Sequence, residues 1–460
     1  MKHSMSSLSE AQQEPAQSAP SPMSLAGMDS SRSWYVLILL TITFGVAYID
    51  RQLINLIVEP IKHDLGISDT QISVIQGAAF ISAYLLATPI VGRLVDITNR
   101  RNILIAGICI WCGCTVLSGL VHSYAELFVA RFGVGASEAC VLPAGWSIIS
   151  DYFSTERRAR ALSVFMVGPQ VGGGLSLIAG GLVIGFAANL RELFTPLSGF
   201  ATWQLAFVFV GLPGVLIAIL LLTVREPARS LSSARASTVA DRHFSLGEAA
   251  RFLITLRGFY GRLYVGIGMF GIVYLGLPVW FPSFLIRYHR MAPATVGYLL
   301  GIVFLSSSAA GVLLAPWFAR VLERNGRQGA PLHATGIAAV GMCVCCVLIP
   351  LVPGPFSALA SCAGAIFFCS VPVGILPAVL QTGTPSRLRG IVASLYTVFG
   401  NGVGLGVGPT AIALVTDHVF HDPVKVGYSI AIICGVASVA AAWMMFSARK
   451  PYRRLLDDER

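Results

Sequence analysis

Twelve apolar runs recur along this chain, each long enough to cross a lipid bilayer, and they leave few folds open to it. By number they are 34–58, 70–91, 103–121, 125–150, 159–187, 203–224, 259–285, 294–319, 331–350, 356–381, 388–416 and 425–447. A bilayer core of about 30 Å takes roughly 20 helical residues at 1.5 Å each. The runs are continuous, which predicts helices; a membrane barrel would show short alternating segments. Only 12% of the 460 residues are charged, against about 25% in a soluble domain. So little charge cannot clothe a water-facing surface, which excludes a soluble enzyme, a disordered protein and a fibrous one.

The formal net charge is +10. The basic residues sit in short stretches between apolar runs, the positive-inside pattern rather than a nucleic-acid patch. With the N-terminus placed in the cytoplasm, 25 of the 32 Lys and Arg fall on that side. Five (Lys62, Arg191, Arg287, Arg290 and Lys425) fall on the other, and Arg51 and Arg131 lie at membrane depth. An integral, multi-pass protein of the plasma or inner membrane is expected, with both termini cytoplasmic. Its expected parts are a disordered cytoplasmic tail at 1–33, a six-helix bundle at 34–224, a cytoplasmic linker at 225–258, a second bundle at 259–447 and a tail at 448–460.

The two halves echo each other. GRLVDITNR at 92–100 follows the second run and ARVLERNGR at 319–327 follows the eighth, an offset of 227. RRARA at 157–161 opens the fifth run and SRLRG at 386–390 opens the eleventh, an offset of 229. Two nearly equal offsets predict an internal duplication. The expected fold class is therefore an all-α membrane protein of twelve transmembrane helices in two pseudo-symmetric six-helix bundles.

Charge at membrane depth is costly and marks candidate functional residues. Four such residues stand out: Asp50 and Arg51 in the first run, Arg131 and Glu138 in the fourth. Arg131 and Glu138 are seven apart, two helical turns, and share one face. The four could form neutral pairs that lock the first helix to the fourth. Alternatively, Asp50 and Glu138 exchange protons while Arg51 and Arg131, which cannot shed theirs, hold an anion. The second half has no Asp, Glu, Lys or Arg in 263–286, 294–319, 331–386 or 390–416. It offers Tyr274, Trp280, Phe281, Ser306, Ser307, Ser308, Gln381, Tyr396 and Asn401 instead. Of these, Tyr274, Trp280, Gln381 and Asn401 are expected to contact substrate. A cavity between the halves would have one charged wall and one aromatic, weakly polar wall, which suits an amphiphile.

GRLVDITNRR at 92–101 resembles the loop motif of the major facilitator superfamily, G-x-L-x-D-R-x-G-R-R/K. Gly92, Leu94, Asp96, Arg100 and Arg101 match, while Ile97 and Asn99 stand where the family has Arg and Gly. The resemblance covers 34–447 and implies that this loop, with its echo at Glu323 and Arg327, latches the cytoplasmic side. GPQVGG at 168–173 resembles the end of the antiporter motif. YIDRQ at 48–52, RFGVGASEA at 131–139 and ISDYFSTERRARALS at 149–163 resemble the spinster-like branch. That branch implies proton-linked transport of amphiphilic molecules by alternating access, with Asp50, Arg51, Arg131 and Glu138 as its helix 1 and helix 4 charges. The organic-anion/proton symporters share this arrangement.

Other classes fit less well. The eight histidines lie in tails, loops or helix ends, and no G-x-x-x-x-G-K phosphate cradle occurs. The ten cysteines fall inside apolar runs, as packed thiols. No enzymatic activity, cofactor, metal or nucleic-acid partner is expected. The expected partners are a small-molecule substrate, protons and the bilayer, with the chain a monomer. A passive uniporter and a non-transporting receptor are the alternatives.

Overall fold

The computed structural model describes residues 29–193, 199–227, 255–327, 329–382, 384 and 388–458. Twelve helices are long and apolar enough to span a membrane. They are α1 (Ser31–Leu56), α2 (Asp69–Ile97), α3 (Arg100–Ser118), α4 (Tyr124–Tyr152), α5 (Glu156–Leu193) and α6 (Thr202–Leu221), followed by α7 (Arg257–Arg287), α8 (Pro293–Arg324), α9 (Ala330–Leu348), α10 (Pro355–Leu380), α11 (Ile391–Phe420) and α12 (Pro423–Leu455). Most of the expected tail at 1–33 and linker at 225–258 lies outside the described residues. One boundary moves: the last helix runs on from Val426 to Asp458, so much of the expected tail at 448–460 is helical. Tyr452 explains this, because it is buried, stacks on Phe259 at 5.3 Å and shares a 3.2 Å hydrogen bond with Thr382.

Helices α1–α6 form one bundle and α7–α12 the other. Between them, α5 packs along α8 and α2 along α11. A pseudo-twofold axis that carries α2 onto α8 and α5 onto α11 exchanges these two contacts, as the sequence echo requires. Pro89 in α2 and Pro316 in α8 are also 227 residues apart.

Twelve crossings put the first and last described residues on one side, the terminal side. The α1–α2, α7–α8 and α11–α12 connections lie on the other, the distal side. On the distal half the α5–α8 seam is backbone against backbone. A Cβ on Gly301 would lie 2.6 Å from the Gly174 carbonyl oxygen, and one on Gly181 2.7 Å from that of Ala294. Only glycine lets helices approach so closely, and close packing drives helix association in lipid.

Candidate transport site

Local breaks in the helices set up the midplane. α1 comprises a helix over Ser31–Val46 and another over Ile49–Leu56, with the Tyr48 N–H bonded back to the Gly45 carbonyl. Asp50 and Arg51 follow this break. α2 carries a π-helical stretch over Val74–Ala79 and α11 another over Val398–Val403, a feature frequent at functional sites. Gly135 of α4 meets the backbone of Phe80, where a Cβ would lie 2.3 Å from the carbonyl oxygen. That approach packs α4 against α2, and the Arg131 and Glu138 side chains reach across to α1.

The four midplane charges form two pairs between α1 and α4. Arg51 Nη2 donates to Glu138 Oε2. Arg131 Nη1 donates to Asp50 Oδ2 at 3.0 Å, and Thr115 Oγ1 donates to the same oxygen at 3.1 Å. The pairs differ in access. The Arg131 and Asp50 side chains are 1% and 6% exposed, whereas Arg51 is 21% exposed over a Glu138 that is 1% exposed. The Arg51 guanidinium also lies over the rings of Phe80 (4.1 Å) and Tyr48 (4.7 Å), a cation–π setting that helps hold a cation out of water. Asp50 Oδ1, Glu138 Oε1, Arg51 Nε and Arg131 Nε are buried without a protein partner.

Across the interface is a layer of neutral polar groups. Tyr274 donates to Gln170 Oε1 of α5 at 3.0 Å, Ser308 lies 3.4 Å from the same oxygen, and Ser370 bonds Ser308 at 3.2 Å. Gln170, inside the GPQVGG motif, was not among the expected contacts; its sequence signal was a lone amide amid glycines. On the distal side of this layer, Leu177, Pro278, Phe281, Phe304 and Ile366 line a small apolar hollow. Asn401 is exposed on α11, and the side chain of Gln381 lies outside the described residues.

Trp280 departs from expectation. It is wholly buried, its Nε1 donates to the Pro409 carbonyl at 2.8 Å, and Arg287 lies over its ring at 5.5 Å. It braces a distal ion cluster instead of facing the cavity. In that cluster Arg287 grips Asp69 with two bonds of 2.7 Å and Glu59 with one of 2.6 Å. Asp417 of α11 accepts the backbone N–H and hydroxyl of Thr70, both at 2.7 Å. These contacts join the bundles on the distal side.

The loop motif lies on the terminal side. Gly92 faces open space and Asp96 is exposed. Arg100 is buried and bonds Asp151 (2.5 Å), Glu226 (2.7 Å) and the Pro227 carbonyl (2.9 Å). The Arg101 N–H bonds Glu226 at 3.0 Å, while Glu323 and Arg327 are exposed. The partners of Arg100 and Arg101 thus fasten ends of α3, α4 and α6 within one bundle, whereas the Arg287 ion pairs join the two bundles on the distal side. All ten cysteines are free thiols, and no metal-ligand cluster occurs among the described residues.

Two six-helix bundles related by pseudo-symmetry, meeting at a charged midplane and joined by ion pairs on the distal side, define a membrane transporter. The chain belongs to the Major Facilitator Superfamily, whose family model matches residues 40–409. It is 26% identical to an MFS-type efflux pump of Mycolicibacterium smegmatis over 93% of this chain and 95% of that one. It is 28% identical to spinster homolog 1 of Xenopus tropicalis, over 69% of this chain and 59% of that protein. The fold superposes on a bacterial homologue of the human lysosomal transporter spinster, inward-facing and unoccupied. The TM-score is 0.74 at 23% identity, covering 93% of this chain and 98% of that one. Within the superfamily the chain resembles the spinster-like branch.

Proposed function

We propose that this transporter moves a small amphiphilic or anionic organic molecule by alternating access, coupled to protons through Glu138. The carrying observation is the Arg51–Glu138 pair: buried at midplane, partly open through Arg51, with Glu138 Oε1 unpartnered. Protonation of Glu138 neutralises the carboxylate and releases the guanidinium. A lone arginine at membrane depth is unfavourable by at least about 2.5 kcal/mol on insertion scales. An anionic or zwitterionic head docking on Arg51 relieves that cost, so proton and substrate favour the same state. The Arg131–Asp50 pair, almost closed to solvent, holds α1 to α4 and steadies the site. Tyr274, Gln170, Gln381 and Asn401 are the contacts proposed for the neutral wall. The charge asymmetry supports a cytoplasmic terminal side, which puts the Arg287 cluster on the opposite face of the membrane.

The test uses the purified protein. Thermal stabilisation by a panel of lysolipids, sphingoid bases and organic anions identifies the ligand class, since a ligand that binds only the folded form raises stability. Uptake of the best ligand into proteoliposomes should then follow an imposed pH gradient. Wild-type uptake indifferent to that gradient would remove the proton from the mechanism.

A further inference from the structure

The distal cluster contains one ion that the latch itself does not require. Lys62, in the short helix Val58–Leu65 after α1, donates to Asp69 from within the same bundle. Asp69 already has two bonds from Arg287 of the other bundle. Its carboxylate is wholly buried at the first position of α2, where the Ser68–Gln71 capping box fixes the helix start. When the bundles part distally, Arg287 must leave with α7, and Asp69 keeps only what its own bundle supplies.

We propose that Lys62 is a positioning residue for transport: it holds the Asp69 charge while Arg287 is away, and so makes the distal-open state accessible. This rests on the alternating-access reading above. Lys62 and Asp69 travel together because α1 and α2 face each other in a fixed antiparallel register. Arg51 lies over Phe80, Asn55 Oδ1 accepts from Gln76 Nε2 at 3.0 Å, and Lys62 meets Asp69. Steps of four and seven residues forward along the first strand of this pairing match steps of four and seven back along α2. The three contacts follow one another in antiparallel order, so the Lys62–Asp69 contact is the end of a continuous seam.

Arg287 has the complementary arrangement. Its own bundle offers the Pro423 carbonyl at 3.1 Å and the Trp280 ring at 5.5 Å. Each partner of the cross-bundle bond thus has a fallback on its own side. Glu59, more exposed at 37%, can face water when Arg287 leaves, and so can Asp417 when it parts from Thr70. Removing Lys62 costs the closed state one of three bonds to Asp69 but costs the open state its sole ion partner. The sign is therefore opposite to that of removing Arg287, although both residues bond the same carboxylate.

The readout is labelling of Leu177→Cys, on the α5–α8 seam, by a membrane-impermeant maleimide from the distal side. Mass spectrometry at position 177 separates it from the native cysteines. Phosphatidylethanolamine/phosphatidylglycerol vesicles carry the full chain, and no substrate is needed. Arg287→Gln should raise the labelling rate about tenfold. Lys62→Met should lower it about tenfold below the parent, and Lys62→Arg should restore it. Adding Asp69→Asn to Lys62→Met should bring labelling to the parent rate or above, because the open state then holds no unpaired carboxylate and the closed state loses its Arg287–Asp69 ion pair. That double variant covers the case in which Lys62→Met alone fails to fold. Labelling at or above the parent rate in Lys62→Met, or no recovery in the double variant, would overturn the role of Lys62. Parent protein that labels normally yet shows no transport would instead count against the transport reading.

Discussion

The two bundles share one duplicated plan but spend their polar atoms differently. The first buries two acid–arginine pairs at midplane, between α1 and α4. The second offers hydroxyls and rings there, Tyr274, Ser308 and Ser370, arranged around a glutamine borrowed from the first. A duplicated fold lets one copy keep costly charge while the other relaxes to packing and shape. Under the proposed function, the first bundle supplies the proton response and the anion contact, and the second supplies neutral ligand contacts.

Substitutions can break that division, and their effects should descend in order. Arg131→Met leaves Asp50 buried without its counter-ion. Breaking a buried pair from one side costs about 3–5 kcal/mol, so thermal unfolding of the purified protein should show the largest loss here. Glu138→Gln keeps volume and a hydrogen bond to Arg51 but cannot cycle a proton. It should lose less thermal stability than Arg131→Met, because Arg51 keeps an amide partner and some access to solvent, and uptake in proteoliposomes should no longer respond to a pH gradient. Retained proton-driven accumulation would move the coupling to Asp50. Arg51→Lys keeps charge but loses the planar fork. A charged hydrogen bond is worth about 1.5–3 kcal/mol, so binding of an anionic ligand should weaken by roughly tenfold or more in a titration, with folding intact. Tyr274→Phe removes one neutral hydrogen bond of about 0.5–1.5 kcal/mol. It should shift ligand affinity by a few-fold and leave the pH response of uptake unchanged. A changed pH response in that variant would erase the contrast between bundles.

The sequence announces the fold through its long apolar runs and its repeated loop motif, because hydrophobic length and duplication are local and countable. Asp50, Arg51, Arg131 and Glu138 are legible for the same reason, as charges in places where charge is rare. Which arginine meets which acid is not legible. It depends on the break at Tyr48 and the backbone contact of Gly135 with Phe80, both products of tertiary packing. Arg287, Asp69 and Lys62 were overlooked because a charge at the end of a membrane helix reads first as a topology signal. Trp280 was misread because an aromatic in an apolar helix carries no mark of which way it points. Gly92–Arg101 shows the converse case, a motif legible in sequence whose arginines, in this conformation, clasp one bundle rather than two.

The glycine seam between α5 and α8 has a consequence for tightness. A barrier built from side chains breathes as rotamers hop, and water files through the gaps. Where Gly174 meets Gly301 the two backbones touch, with Ile178 and Leu305 packed against them, so the barrier yields chiefly when whole helices tilt apart. Such a joint behaves as a valve seat: shut against even a hydronium ion, or fully lifted, with little between. A carrier that works against a gradient needs this property, since every partial opening would let ions slip past unpaid. A larger residue at Gly301, leucine for example, would act as grit in the seat.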